Sequence, residues 1–196
     1  MPNNAPLRVR DSAPDPRVAR TTHALGSALI ELIQERDYDD ITVQQILDRA
    51  GVGRATFYAH YRNKDDALHW NYGRLFDVME SLVARRSPAG RRLFPVEEFV
   101  SHIAEARELT AALRRAGRLE EAWSQFAGHA AGIIERRLAS WPEVASTIPQ
   151  SLVAPMLGGA LIEMIRWSHE HPSASTPREM DRAFHELARG VLRKAR

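Results

Sequence analysis

The chain has 196 residues, which suits one ordinary domain or a small domain joined to a larger one. Its hydrophobic fraction of 44% can fill a buried core, and its lack of cysteine excludes disulfide and thiolate chemistry. The formal net charge of +2 does not indicate a nucleic-acid binder, so a basic surface must come from local patterning. No apolar run reaches the length of about 18 residues that a membrane span needs, and no secretory signal is evident, so we expect a cytoplasmic protein.

The N-terminal segment 1–15 is rich in Pro, Asn and Ala and has no apolar period, so we expect a flexible arm. Arg8 and Arg10 of this arm could touch the DNA backbone, although a tail without contacts is the simpler interpretation. From Arg17 onward, apolar residues recur at spacings of three, four and seven, which predicts an amphipathic helix.

The next segment, 42–64, reads TVQQILDRAGVGRATFYAHYRNK and predicts a helix, a glycine turn and a second helix. Thr42 opens the first helix with the spacing of a capping box, and Gly51 supplies the turn. Phe57 and Tyr61 lie four residues apart and are expected to anchor the second helix to its neighbours. A turn this tight sets the two helices at a large angle, as in a helix-turn-helix.

The other face of the second helix offers side chains that suit a DNA duplex. They are Arg54, Thr56, Tyr58, His60 and, just after the helix, Lys64. Arginine can donate twice to guanine, hydroxyl groups serve phosphates or base edges, and lysine neutralises a phosphate. From Arg49 to Lys64 the sequence holds four basic residues and no acidic one. This local charge predicts a DNA-binding surface.

The remainder of the chain also has helical patterns and no convincing strand, which predicts an all-α fold of about nine helices. The predicted helices run from Asn63 as N-cap to about Arg85, from Val96 to Ala116 with a bend near Glu108, from Leu119 to about Ser140, from about Pro149 to His169, and onward from Thr176. Pro155 either starts or kinks the fourth of these helices. Thr176-Pro177-Arg178-Glu179 predicts a second capping box, with proline at the first helical position.

The segment from Val18 to Leu75 resembles the TetR family of bacterial regulators. The resemblance is carried by Thr42-Val43, Ile46, Ala50-Gly51-Val52, Thr56-Phe57-Tyr58, His60-Tyr61, Lys64 and Leu68. It implies a dimeric, all-helical protein with a three-helix DNA-binding head, here 16–63, and a C-terminal helical regulatory and dimerisation body, here 64–196. Most members of this family repress transcription and release DNA when a small molecule binds.

The family's DNA contacts, transferred residue by residue, fall on Thr42, Arg54, Ala55, Thr56, Tyr58, His60 and Lys64. The resemblance makes Arg54 the base reader and gives Tyr58 and His60 to phosphates. Tyr58 could instead lie half in the core, and His60 could be an ordinary surface histidine. Gly53 departs from the family pattern, which often has serine or threonine there, so we expect a weaker cap on the recognition helix.

The resemblance also predicts that the last two helices form a homodimer interface, as a four-helix bundle. Leu152, Met156 and the small residues Gly158-Gly159-Ala160 would give one helix a close-packing face, although this stripe fits packing within one chain equally well. Two heads on a twofold axis should meet major-groove faces about 34 to 36 Å apart, so the double-stranded DNA operator should be an imperfect palindrome.

The body is also the expected place for a small-molecule effector. Candidate ligand residues are Met79, Trp123, Phe126, Met156, Glu163 and Trp167, with His129 as a further member. Aromatic and methionine side chains at helical spacing are more often plain core than pocket. Glu163 could meet a cationic ligand or pair with Arg166. A bound effector would shift the population of head spacings.

Two other classes of protein are alternatives to a ligand-controlled regulator. The sequence contains no metalloprotease, nucleophile-elbow or phosphate-loop motif, so we expect no catalytic residue, metal or cofactor. The alternative within regulation is a DNA-binding co-regulator whose body binds a partner protein rather than a small molecule. An apolar cavity would favour the ligand, whereas a solid core with an exposed apolar patch would favour the partner.

Overall fold

The computed structural model describes residues 16–87, 92–141 and 148–192, and all regular structure in this part is helical, which confirms the all-α prediction. Its helices are α1 (Pro16–Glu35), α2 (Val43–Ala50), α3 (Arg54–His60), α4 (Lys64–Arg86), α5 (Val96–Glu105), α6 (Arg107–Arg115), α7 (Leu119–Ala139), α8 (Gln150–Glu170) and α9 (Pro177–Val191), with a 3-10 turn at Tyr38–Asp40. The predicted arm, 1–15, lies outside the described residues. None of the described helices is both long and apolar enough to cross a membrane.

The first three helices form the head, and the residues that begin, end and anchor its helices are those that the sequence predicts. The Thr42 hydroxyl accepts from the backbone N–H of Gln45 and so completes the predicted capping box. Gly51 ends α2 with a φ of 65°, a left-handed conformation that glycine adopts without a steric penalty. Phe57 and Tyr61 are fully buried, as predicted, and fix α3 against the head.

Helix α4 connects the head to the body. Asn63 caps it as predicted, since its side-chain oxygen accepts from the N–H of Asp66 at 2.8 Å. Further along, Tyr72 and Phe76 turn inward and meet Phe126 of α7, with ring centroids 5.0 and 5.4 Å apart. The body core therefore begins on the same helix that carries the head.

The bend predicted near Glu108 is a complete break at Ala106, which separates α5 from α6. Ala106 has φ −85° and ψ 27°, outside the helical region. The Thr110 hydroxyl donates to the Ala106 carbonyl at 2.7 Å, and such back-bonding by threonine bends helices. The same kind of bond from Thr22 to the Val18 carbonyl leaves α1 unbroken, so the Thr110 bond accompanies the break without explaining it, and no glycine or proline lies there.

Helix α8 begins at Gln150 and runs through Pro155, so the proline does not start the helix. Pro155 cannot donate to the carbonyl of Ser151, but both residues are exposed and water can reach that carbonyl. The small-residue segment divides between two faces. A Cβ on Gly158 would lie 2.8 Å from the carbonyl oxygen of Ala127 on α7, whereas Gly159 has no neighbour within 4 Å. Gly158 thus serves packing within the chain, which corrects its assignment to the dimer face.

Helix α9 packs against α5, and His185 of α9 makes polar contacts within its own helix and with the segment just before α5. Its Nδ1 lies 2.8 Å from the Asp181 carbonyl oxygen, and its Nε2 lies 3.3 Å from the Leu93 backbone nitrogen. A neutral ring with its proton on Nδ1 satisfies both contacts, because Nε2 then accepts from the Leu93 N–H. Burial lowers the pKa of His185, although the Asp181 carboxylate acts in the opposite direction and Arg92 and Arg189 add to the lowering.

The lowered pKa of His185 predicts that the fold weakens in mild acid. The unfolded chain binds the proton more readily, so this contribution to stability is complete above pH about 6.5 and declines as the pH falls below it. We expect the unfolding temperature to drop between pH about 7.5 and 5.5, and to drop less in His185→Gln. Equal pH dependence in the two proteins would assign the effect to other groups.

Candidate DNA interface

Helix α3 presents most of the predicted DNA contacts on one exposed surface. Arg54, Ala55 and Thr56 are exposed, and His60 is half-buried. Tyr58 is 48% exposed while its ring meets the edge of Phe57 at 5.3 Å, so it is both supported by the core and open to a partner. Gly53 precedes α3 without a side-chain cap, as expected. The buried Phe57 anchors this surface to the core of the head.

Arg54 stands out among the basic residues of the head. Its guanidinium carbon lies 5.5 Å from the centre of the Tyr58 ring, which orients it along the exposed face. Within the described part of the chain, no carboxylate lies within 4.0 Å of it. The guanidinium therefore keeps its donors available for an external acceptor, as a base-reading arginine requires.

The basic character of the segment is smaller than its sequence indicates. Arg49 forms ion pairs with Glu35 at 2.7 Å and with Glu31 at 3.2 Å, and its hydrogen bonds lower the pKa of Glu35. Both glutamates lie on α1, outside the sequence window that contains no acid. Arg62 is different, because its side chain is 89% exposed and its pair with Asp66 at 3.4 Å is of a weak, solvent-screened kind. Arg62 therefore remains available to a phosphate.

Lys64 is engaged inside the protein rather than facing outward. Its ammonium donates to the carbonyl oxygens of Tyr38, Asp39 and Ile41 at 2.6, 3.1 and 2.9 Å. An ammonium has three N–H donors, so a phosphate contact would require giving up one of these bonds. Thr42 is also occupied, since its hydroxyl donates to the Gln45 side chain at 3.1 Å. In the structure both residues make contacts within the segments that flank α3.

These contacts of Lys64 predict an effect on stability rather than on DNA electrostatics. Lys64→Met keeps the side-chain stem but leaves the carbonyls unpaired, so we expect a loss of about 1 to 3 kcal/mol in the free energy of unfolding. The salt dependence of DNA binding should stay unchanged. Denaturant unfolding and a salt titration of binding measure the two quantities.

Arg62→Gln is the matched control for Lys64→Met. It should leave stability within about 0.5 kcal/mol, because the side chain is exposed and its ion pair is weak. It should lower the slope of log affinity against log salt by about one, as expected when one phosphate contact is lost. The reverse pattern, with a reduced slope only in Lys64→Met, would place Lys64 on the DNA backbone.

A cluster around Tyr38 joins the head to the body. Arg118, at the start of α7, lies 3.3 Å from Asp65 and 3.9 Å from Asp39, with its guanidinium carbon 5.0 Å from the centre of the Tyr38 ring. The Tyr38 hydroxyl donates to Asp65 at 2.7 Å. Sequence reasoning missed this cluster because its members are far apart in the chain and share no local spacing.

The candidate ligand residues do not lie together. Met79, Trp123 and Phe126 are buried, and the Trp123 and Phe126 rings meet at 5.6 Å in the body core. The other three, Met156, Glu163 and Trp167, are exposed on the outer face of α8. Arg166 lies closer to Glu120, at 3.0 Å, than to Glu163, at 3.8 Å. The first group matches the plain-core alternative, and the second lies on the face predicted for the dimer.

Helices α2 and α3, with the glycine turn between them, form a helix-turn-helix whose second helix has an exposed face. Comparison with known families agrees, since residues 27–69 match the sequence model of the bacterial regulatory proteins of the tetR family. This segment, about a fifth of the chain, is therefore similar to that family, and the family and the curated relative are regulators rather than enzymes. The matched residues contain all of α2 and α3 and the start of α4.

Comparison with curated proteins gives a relative of the helix-turn-helix type. The HTH-type transcriptional regulator YxbF of Bacillus subtilis (strain 168) is 35% identical to this chain over 83 residues, which are 41% of this chain and 22% of YxbF. This match therefore spans about a fifth of the length of that relative.

Solved structures show that the likeness of fold extends over the body. A TetR-family regulator from Syntrophomonas wolfei aligns with a TM-score of 0.63 and 15% identity, over 89% of this chain and 95% of that one. The TetR-family repressor FadR of Thermus thermophilus, solved with lauroyl-CoA, aligns with a TM-score of 0.55 and 18% identity, over 89% of this chain and 97% of FadR. At these identities the structures establish the common fold.

Proposed function

We propose that this protein is a repressor that binds a palindromic operator as a homodimer and leaves it when a small-molecule effector binds. The observation that carries the proposal is the exposed face of α3, where Arg54 lies without a described acidic partner and Tyr58 stands beside it. A rigid, short helix with an available guanidinium suits direct reading of guanine in the major groove.

The distribution of exposed apolar side chains supports a dimer through α8 and α9. Seven large hydrophobic residues are exposed in the described part of the chain, and four of them lie on these two helices: Leu152, Met156, Trp167 and Leu187. Met156 and Trp167 are separated by 11 residues, or about three turns, so they share one face of α8. Apolar surface concentrated in this way indicates a protein interface.

The proposal of an effector has a different basis. The repressor FadR of Thermus thermophilus, which has the same fold, was solved with lauroyl-CoA bound. In this chain Arg118 ties the start of α7 to the head through Asp65 and Tyr38. A ligand that displaces α7 relative to the head would therefore change the spacing of the two recognition helices, and only one spacing fits the operator.

The test of DNA recognition is a mobility shift with DNA from upstream of the protein's own gene. Arg54→Ala should cost about 1 to 3 kcal/mol on the intact operator and relax discrimination at a single base position. The mutant also loses the Arg54 charge, so binding to unrelated DNA should weaken too. It should weaken less than binding to the operator, because only the operator offers the base contact. Affinities for a set of single-base operator variants measure both effects.

Arg62→Gln serves as the control for Arg54→Ala because it removes a nearby, more exposed cation from the same head. It should weaken binding to all the operator variants to a similar extent, as a phosphate contact does. If Arg54→Ala also weakens all variants equally, Arg54 contacts only the backbone. Binding that is weak, salt-sensitive and blind to sequence in the wild type would contradict the proposed function for this DNA.

A second candidate function is a DNA-binding co-regulator that is controlled by a partner protein. The observation in its favour is Trp167, a large aromatic side chain that is 45% exposed and stacks only on His171, at 5.0 Å, among the ring contacts of the described residues. Sedimentation separates the two. A monomer whose operator binding requires a second protein supports the co-regulator, and a dimer that binds alone supports the repressor.

A further inference from the structure

A large cleft lies on the side of the molecule where the head meets the body. Its volume is about 720 Å³, and it lies between the beginning of α1, the end of α3, α4 and the middle of α7. Sites for small molecules usually measure about 300 to 1,000 Å³. The cleft is separate from the aromatic core around Phe126 and from the exposed face of α8.

Gly73 lines the cleft without a side chain and so leaves space at one wall. A Cβ placed on Gly73 of α4 would have His129 Cε1 of α7 as its nearest neighbour, at 3.7 Å, which is an ordinary contact distance. The apolar part of the wall comes from Val18 and Trp70. The Trp70 ring meets the edge of the Tyr61 ring at 5.8 Å. These surfaces can take a flat apolar group.

An unpaired carboxylate, Asp77, makes the cleft a site for a cation. Among the described lining residues, Asp66 and Asp77 contribute carboxylates and Arg74 contributes a guanidinium, which lies 5.2 Å from the centre of the Trp70 ring. Asp66 is already paired with Arg62 at 3.4 Å, so Asp77 is the carboxylate left for a ligand. No ion pair within 4.0 Å joins Asp77 to any described residue. Burial lowers the pKa of His129, so this ring is neutral at pH 7 and does not offset the negative charge.

A buried hydroxyl at the same place lacks a partner. Tyr61 lines the cleft and is only 3% exposed, and its hydroxyl has no hydrogen-bond partner among the described residues. Burial raises the pKa of Tyr61, so it remains a neutral phenol that can both donate and accept. Unpaired buried polar atoms are uncommon in proteins, and a bound molecule is one of the ways in which they are satisfied.

We propose that this cleft binds a small molecule that combines an aromatic ring with an ammonium group, with the ring against Val18 and Trp70 and the ammonium beside Asp77. An aromatic carboxylate placed in the same way would meet the unpaired Asp77 carboxylate, so this position disfavours it. A neutral alcohol would keep the apolar contact and a hydrogen bond but gain nothing from the charge.

Such a ligand would contact both parts of the protein. Val18 and Tyr61 belong to the head, whereas Gln125 and His129 belong to α7 of the body. A molecule that fits the cleft in one arrangement of the two parts stabilises that arrangement. The effect on operator affinity rests on the proposed function, but binding in the cleft does not.

The test compares three probes of nearly equal size by calorimetric titration of the full chain. They are 2-phenylethylamine, 2-phenylethanol and 3-phenylpropionate. We expect the amine to bind with a Kd below about 1 mM and about tenfold more tightly than the carboxylate, with the alcohol between them. Equal or tighter binding of the carboxylate, or no binding of the amine up to about 5 mM, would overturn the proposal.

Three variants locate the binding. Asp77→Asn should weaken the amine about fivefold or more and leave the alcohol unchanged, and Gly73→Leu should abolish binding of all three probes by filling the cleft. Gly73→Leu also removes a glycine from the interior of α4, so the helix should be retained. Glu135→Gln, on the exposed side of α7, is the matched control and should change nothing. Amine binding that is indifferent to both cleft variants would refute the site.

A mobility shift with and without 2-phenylethylamine then tests regulation separately. If the amine binds and Asp77→Asn weakens it, the site stands whatever the DNA result. A protein that binds the amine but no operator would contradict the proposed function and leave the proposed ligand site intact.

Discussion

The double variant Met156→Glu/Trp167→Glu is expected to stay folded, to sediment as a monomer at micromolar concentration, and to lose operator binding. The loss on the intact palindrome should be about 10²- to 10⁴-fold, because each head then binds its half-site without the help of the other. Binding to an isolated half-site should be nearly unchanged, since α3 is untouched. Sedimentation and mobility shifts on whole and half operators measure these outcomes.

The reason for so large an effect is the position of the two side chains. Both are more than 40% exposed on one face of α8, so in the monomer a carboxylate there meets only water and costs little. In a symmetric dimer the same face meets its own copy, so each substitution places like charges opposite each other in an apolar surface. Glu163 already lies on this face, which makes further negative charge still less favourable.

Two single variants sharpen the result. Leu187→Glu on α9 should act in the same direction, because Leu187 is the exposed apolar residue of the neighbouring helix. Val78→Glu on α4 is the matched control, since Val78 is 48% exposed but lies away from α8 and α9. A wild-type protein that is already monomeric on and off DNA would remove the dimer from the proposed function. A double variant that remains dimeric would move the interface elsewhere.

The parts of the fold that the sequence predicts well are those fixed by neighbours in the chain. The Thr42 and Thr176 capping boxes, the Asn63 cap and the left-handed Gly51 each depend on residues within one helical turn, and each is present in the structure. The break at Ala106 lies two residues before the bend predicted near Glu108, at a position that no glycine or proline marks in the sequence.

The electrostatics of the head could not be predicted in the same way. Arg49 meets glutamates that precede it by 14 and 18 residues, and Lys64 meets carbonyls that precede it by 23 to 26 residues. Neither contact has a sequence spacing that marks it, since both depend on how α1, the 3-10 turn and α4 come together. A count of local charge therefore overstates the free positive charge of a helix-turn-helix.

The predicted DNA-contact residues of α3 lie together in the structure, whereas the predicted pocket residues do not, and the reason is related. The contacts on α3 share one short helix, so periodicity alone places Arg54 and Tyr58 on one exposed face. The pocket residues come from α4, α7 and α8, and their grouping depends on the packing of these helices. Periodicity cannot distinguish the inward face of α7, with Trp123, from the outward face of α8, with Trp167.

Substitution of the glycine pair on α8 should separate packing within the chain from packing between chains. Gly158→Ala is expected to destabilise the protein by about 1 to 3 kcal/mol despite the better helix propensity of alanine. The added Cβ would lie 2.8 Å from the Ala127 carbonyl oxygen and 2.9 Å from the Ala131 nitrogen, and backbone atoms of α7 cannot move aside as a side chain could. Urea unfolding measures the loss.

Gly159→Ala is the natural counterpart, because the next residue has open space at the same position. It should raise stability by up to about 1 kcal/mol through helix propensity alone. The unfolding temperatures of the two variants should therefore differ by several degrees, at about 2 to 4 °C for each kcal/mol in a chain of this size. Equal effects of the two substitutions would mean that α7 and α8 can move apart to admit the added methyl group.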